Sequence, residues 1–176
     1  MLPSFFAIWN KSILISQTSK TKAMEIRKAT TTDIDAIALL YRDTINTVNA
    51  KDYSKEQIQA WASTYINQHA WAKRIEEQQF YAAIIKDIIV GFASIDNNSY
   101  LDLLYVHKDF QRQGIAAALL EVIESAAKEM GFKEITVQSS TTALPFFLSH
   151  AFIETYKKEK LVNGVSFVNP FLSKKI

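Results

Sequence analysis

The stretch Leu101-Asp102-Leu103-Leu104-Tyr105-Val106-His107-Lys108-Asp109-Phe110-Gln111-Arg112-Gln113-Gly114-Ile115-Ala116 decides the reading of this 176-residue chain. Its first part, with Tyr100, is an almost wholly apolar run, the pattern of a strand covered on both faces. Its last part opens the longest helical pattern in the sequence, expected over Gln111 to Met130. Ile115, Leu119, Val122, Ala126 and Met130 lie on one stripe of it, and Gly131 is its stop. Between strand and helix sits Gly114, one of four glycines in the chain. Glycine there lets a ligand come close to the backbone. The first turn of a helix also carries amide hydrogens without intrahelical partners and the positive end of the dipole. Together these features make a candidate anion site, most naturally for phosphate, and Arg112 adds a side-chain charge. The alternative is that Gly114 only relieves crowding between strand and helix.

Upstream, Met24 opens Glu25-Ile26-Arg27-Lys28-Ala29, an expected first strand. Thr32 is the expected N-cap of the helix that follows, with Asp33 and Asp35 in its first turn. Ile34, Ile37, Ala38, Tyr41, Ile45 and Val48 keep helical spacing. Ser54-Lys55-Glu56-Gln57 matches a capping box, and Ile58, Trp61, Ala62, Tyr65 and Ile66 stripe the helix it opens. A short helical pattern also covers Ala70 to Glu77. Phe80 to Ile85 and Ile88 to Ile95 read as strands joined by Lys86-Asp87.

Downstream, Ile135 to Gln138 reads as a strand and Thr142 to His150 as a short helix. Phe152 to Tyr156 and Val165 to Leu172 read as closing strands, and Asn163-Gly164 between them is the best hairpin signal in the chain. Pro170 suits only an edge or a bulge. The expected order is β-α-α-β-β-β-α-β-α-β-β, a mixed α/β (α+β) fold with one strand-helix-strand unit in an otherwise antiparallel sheet. Residues 24–176 form one domain. Residues 1–23 read as an extension outside the core, with a small docking helix as the alternative.

Composition narrows the function. Twenty Lys+Arg against 18 Asp+Glu leave a net charge of +2, which argues for neither nucleic acid nor an anionic membrane as partner. No apolar run reaches the ~18 residues of a membrane helix. The absence of cysteine rules out disulfides, thiolate zinc sites and a cysteine nucleophile, and it fits a cytoplasmic protein. Three scattered histidines give no metal-ligand pattern, so no metal is expected.

Gln111-Arg112-Gln113-Gly114-Ile115-Ala116 resembles the Q/R-x-x-G-x-G/A signature of the GNAT superfamily of N-acetyltransferases. Leu104 to Phe110 resembles the strand end and loop that lead into that signature. Pro145-Phe146-Phe147-Leu148-Ser149-His150-Ala151-Phe152 resembles the family's F-Y-x-x-x-G-F segment. The resemblance covers roughly Met24 to Lys175, and the element order agrees with it. It implies a GNAT-like fold and acetyl-coenzyme A (acetyl-CoA) as donor. Leu104, Tyr105 and Val106 match the positions that lend backbone groups to the pantetheine arm. Arg112, Gln113, Gly114, Ile115, Ala116 and Ala117 match the loop and first helical turn that hold the pyrophosphate. The family's second glycine is Ala116 here.

Acetyl transfer to an amine requires loss of an ammonium proton, a donor to the thioester oxygen, and departure of a thiolate. Direct attack in a ternary complex needs no protein nucleophile, which suits a chain without cysteine. The resemblance implies a tyrosine as the thiol's general acid, but the matching residue is Phe147, and the family's frequent Asn aligns with Ser140. Asp102, in an apolar strand, is the expected base, since desolvation there raises a carboxyl pKa. Pairing with an arginine is its alternative. Tyr53, in a loop, is the expected acceptor-pocket residue, while Trp61 and Tyr65 fall on an apolar stripe and read as core. The reading is an N-acetyltransferase acting on a primary amine of a small molecule or peptide. Phe147 keeps open a non-catalytic acyl-CoA binding or sensing module. Self-association as a homodimer through the closing hairpin is an expectation by analogy.

Overall fold

The computed structural model describes residues 24–176, and the extension expected over residues 1–23 lies outside them. In chain order the elements are β1 (Glu25–Lys28), α1 (Ile34–Thr44), α2 (Lys55–Ala62), α3 (Gln68–Glu77), β2 (Gln79–Ile85), β3 (Ile88–Ile95), β4 (Leu101–Val106), α4 (Ile115–Glu129), β5 (Glu134–Gln138), α5 (Leu144–Ser149), β6 (Ile153–Val162) and β7 (Val165–Lys175). This is the expected mixed α/β order, with the short helical pattern over Ala70 to Glu77 formed as α3. The strands form two antiparallel sheets, ordered β1-β2-β3-β4 and β5-β7-β6. Only the start of β4 meets β5. Tyr100 bridges Thr136 in parallel, and the Thr136 amide donates to the Ser99 carbonyl at 3.0 Å. Beyond that contact the two strands separate, and the gap between them becomes the site.

A β-bulge explains part of the separation. Ile95 pairs with Leu101 and Ser94 with Leu103, so Asp102 is the extra residue in β4. A bulge bends its strand and shifts the side-chain alternation by one. Leu101 and Val106 therefore join the apolar cluster under α4, whereas Leu103 joins the one under α1 and α3. The apolar run from 101 to 106 is covered on both faces, as its composition implies.

Two other local features fix the frame. Gly91 in β3 lets α4 lie directly on the sheet, since a Cβ there would stand 2.9 Å from Ile115 Cγ2 and 3.0 Å from the Tyr105 carbonyl. At the other end of the chain, the Asn163-Gly164 turn joins β6 and β7 with both residues at positive φ, 48° and 82°, as the sequence predicts.

Several boundaries differ from expectation. The N-cap before α1 is Thr30, not Thr32, because the Asp33 carboxylate accepts the Thr30 amide at 2.8 Å and starts the turn two residues earlier. Helix α4 begins at Ile115, not Gln111, because Arg112 and Gly114 hold φ of 61° and 81°, which no helix accommodates. Its buried face carries Leu120, Ile123 and Ala127 beside Ile115, Leu119 and Ala126, while Val122 and Met130 lie at the margin. Pro170 sits in the middle strand of its sheet, not on an edge strand. Its carbonyl accepts the Ser139 amide at 2.9 Å just past the end of β5. In an antiparallel strand the N and C=O of a residue face the same side, so the missing N–H points where β5 has already ended.

Candidate active site

The gap between β4 and β5 holds a cleft of about 270 Å³. Backbone geometry defines one wall. His107 donates its amide to the Val90 carbonyl at 2.8 Å, and polarity alternates along an antiparallel strand. Tyr105 therefore turns its N–H and C=O toward Phe92 of β3, and Leu104 and Val106 turn theirs toward the gap. The Val106 carbonyl accepts from Thr44 Oγ1 at 3.1 Å and from Gln111 Nε2 at 2.6 Å. Thr44 ends α1, and the chain continues into a wide π-helical turn over Ile45–Asn49 that places Asn49 on the same cleft. Tyr105 thus differs from its neighbours: its backbone engages β3, and its ring packs against Tyr41 and Phe92 beside the cleft.

At the α4 end of the cleft, the amides of residues 112 to 117 make no hydrogen bond among the described residues. The first bonded amide is that of Ala118, which donates to the Gly114 carbonyl at 3.0 Å. No side chain of the described residues caps this helix. Arg112, Gln113 and Gly114 are exposed, and a Cβ added at Gly114 would meet nothing within 4 Å. The glycine is therefore there for its positive φ, and not to relieve crowding with the strand. Six unpaired amides around a left-handed turn at a helix N-terminus have the shape and polarity of an anion cradle. Ala116 links this cradle to the cleft, which it also lines.

The opposite wall comes from β5 and α5. Ser139 is buried and donates to the Ser140 carbonyl at 2.8 Å, and Ser140 Oγ accepts the Ala143 amide at 3.1 Å. The buried Thr142 hydroxyl has no hydrogen-bond partner among the described residues. Phe147 is 2% exposed and packs edge-on against Phe152, with centroids 5.1 Å apart. It lines the cleft but offers no proton. His150 Nδ1 turns back to the Phe146 carbonyl at 2.8 Å, and neither it nor Ser149 lines the cleft.

Asp102, released from the ladder by its bulge, also lines the cleft. Its Oδ2 accepts from Arg74 Nε at 2.8 Å and from Gln78 Nε2 at 3.1 Å. Its side chain is 24% exposed. The desolvated, isolated carboxylate expected from the apolar strand is absent, because α3 delivers a guanidinium to it. Oδ1 makes no bond among the described residues.

Tyr53 stands directly behind the cleft wall, its ring 5.3 Å from Trp61 and 5.7 Å from Phe167 between centroids, both of which line the cleft. Its hydroxyl accepts the Thr141 amide at 2.8 Å and donates to Asn169 Oδ1 at 3.2 Å, tying the β5–α5 turn to β7. Trp61, read as core from its stripe, does pack against the apolar cluster under α1 and α3, and it also lines the cleft with Tyr41, Phe167 and Lys160. Burial pushes the Tyr105 phenol well above its ordinary pKa and raises that of Tyr41, so both rings stay neutral. Sequence reasoning missed Arg74 as a site residue. Its only sequence signal is its place three residues after Trp71, on the buried face of a short helix.

Among the described residues no group of three or more His, Asp or Glu could hold a metal, and no helix is long and apolar enough to cross a membrane.

Known proteins share this architecture. The Acetyltransferase (GNAT) domain matches residues 49–170. An uncharacterized N-acetyltransferase of Escherichia coli K12, YafP, is 30% identical over 150 residues, covering 85% of this chain and 94% of that protein. The crystal structure of a GCN5-related N-acetyltransferase from Rhodopseudomonas palustris superposes with a TM-score of 0.85 at 28% identity, over 92% of this chain and 99% of its own. The PaiA N-acetyltransferase of Thermoplasma acidophilum, solved with coenzyme A, shares the fold with a TM-score of 0.75 at 19% identity, over 87% and 99%. The chain belongs to the GNAT family of acetyltransferases.

Proposed function

We propose that the protein transfers the acetyl group of acetyl-CoA to a primary amine by direct attack within a ternary complex. The observation that carries this reading is the row of unpaired amides from 112 to 117 beside a gap into which Leu104 and Val106 turn their backbone groups. A diphosphate fits the amides, and an extended amide-bearing arm fits the strand edge. Arg112, Gln113, Gly114, Ile115, Ala116 and Ala117 would hold the diphosphate, and Leu104 and Val106 the arm. Ser140 and Phe147 would close over its thiol end. The coenzyme A-bound relative supports the donor assignment.

When bound, acetyl-CoA supplies an activated carbonyl. The amine nitrogen bonds to that carbon, the carbon–sulfur bond breaks, and sulfur keeps the electron pair. Asp102 holds the incoming ammonium through Oδ1 and takes its first proton, the second N–H proton passes to solvent as the amide forms, and Arg74 and Gln78 fix the carboxylate through Oδ2. Phe147 gives the sulfur an apolar neighbour and no acid, so the thiolate is protonated from solvent. A chain without cysteine offers no thiol to carry the acyl group, and it suits the cytoplasm as the site of action.

Titration with acetyl-CoA followed by thiol release across a panel of amines tests the reading. Saturable binding with acceptor-dependent thiol release is expected. Saturable binding without release from any amine would instead make the protein an acyl-CoA sensor.

A further inference from the structure

The cleft does not end at Asp102. A second cavity of about 580 Å³ continues from it between α2, α3 and the β6–β7 hairpin. Tyr41, Trp61, Arg74 and Lys160 line both. The volume falls in the usual range of small-molecule pockets, ~300–1,000 Å³. Resting on the acetyl-transfer reading, we infer that the acceptor is a small aromatic amine that carries a carboxylate, the simplest members being the aromatic α-amino acids.

Three observations support this. The first is the walls. Tyr41 packs against Trp71 at 5.2 Å and against Tyr105 at 4.8 Å between centroids, which fixes one aromatic surface, and Trp61 comes from α2 to face the same space. Flat, rigid surfaces of this kind favour a flat ring. The second is charge. Arg74 is engaged by Asp102 at 2.8 Å, so its charge is balanced. Lys160, an exposed residue of β6 at the edge of both spaces, makes no ion pair among the described residues. The cavity therefore carries one uncompensated positive charge, which a carboxylate neutralises and a polyamine aggravates. The third is order along the cleft. Asp102 lines only the inner part, whereas Lys160 lines both parts. An amine placed at the junction, beside Oδ1, leaves its carboxylate for Lys160 and its ring for Trp61 and Tyr41.

The test uses the full chain saturated with coenzyme A, so that binding is read without turnover, and calorimetry with L-phenylalanine, phenethylamine, L-alanine and spermidine. L-Phenylalanine should bind about fivefold more tightly than phenethylamine, the scale of one solvent-exposed ion pair. It should bind at least about tenfold more tightly than L-alanine, which lacks the ring. Spermidine should bind weakest. Lys160→Gln should erase the preference for L-phenylalanine over phenethylamine while leaving coenzyme A affinity unchanged. Equal or tighter binding of spermidine, or a Lys160→Gln protein with an intact preference, overturns the inference. Thiol release with the same amines separates the two readings. Release that is fastest with spermidine sinks the acceptor assignment and keeps the acetyltransferase. Tight L-phenylalanine binding with no release from any amine does the reverse.

Discussion

The two ends of the cleft are made of different material. At the α4 end the polar groups are backbone amides, six in a row, presented by one continuous segment. At the Asp102 end they are side chains brought from α2, α3, β4 and β6. A backbone-built end needs one glycine and a register, and it tolerates change in the side chains around it. A side-chain-built end depends on every element that delivers a group. The donor end should therefore be broken by altering backbone conformation, and the acceptor end by deleting single functional groups.

The largest effect expected is at the side-chain end. Asp102→Asn should lower turnover by about 10²–10⁴, the range for loss of a positioned acid or base, with acetyl-CoA affinity unchanged in a titration. Unaltered turnover would remove Asp102 from the chemistry and leave it as the partner of Arg74. At the backbone end, Gly114→Val releases the loop from its left-handed turn, and restoring that turn for a β-branched residue costs roughly 1–3 kcal/mol. Coenzyme A affinity should fall by about tenfold or more, while stability to urea falls by no more than that same strain, about 1–3 kcal/mol. Unchanged affinity would mean that the amides do not hold the donor.

Smaller effects separate the site from its support. Gly91→Ala forces a methyl group against Ile115 and the Tyr105 carbonyl. It should lower unfolding stability by about 1–3 kcal/mol, read as a reduced urea midpoint. Because Ile115 is the first residue of α4, a weaker hold on coenzyme A should follow. Asp33 lies outside the cleft and offers a control. Its bonds to Arg27, and the Thr30 amide, hold its carboxyl below the usual value of 3.8. A carboxyl depressed in the folded state contributes stability above its unfolded pKa and loses it as the pH falls through the folded value. Asp33→Asn should cost about 1 kcal/mol at neutral pH, the typical worth of a cap. That difference should shrink as pH falls below 3.8, while acetyl-CoA affinity at neutral pH stays unchanged.

Particular residues show how far the sequence reaches. Ser54 and Gln57 close the predicted capping box, the Ser54 amide donating to Gln57 Oε1 at 3.0 Å and the Gln57 amide to Ser54 Oγ at 3.2 Å. Both groups lie within one turn, so local pattern suffices. Gly114 was legible for the same reason, since strand, glycine and helix are contiguous. Asp102 was legible as an oddity in an apolar run. Its partner was not, because Arg74 lies 28 positions away and meets it only after β2 and β3 have folded between them. Tyr53 and Trp61 show the limit: the loop tyrosine ties β7 to the β5–α5 turn, and the stripe tryptophan both packs on the core and faces the cavity. Helical periodicity identifies an apolar face, but it does not say whether that face meets protein or an opening between two sheets.

The order of strands and helices, the hairpin at Asn163-Gly164 and the glycine turn that exposes a run of amides are legible from residue pattern alone. Each follows from torsional and hydrogen-bonding preferences acting over a few neighbouring residues. Where β4 leaves β5, which guanidinium faces Asp102 and which aromatic rings border the cleft emerge only when distant segments pack together. Those outcomes depend on the bulge at Asp102 and on packing between segments remote in the chain, and such contacts leave no periodic trace along it.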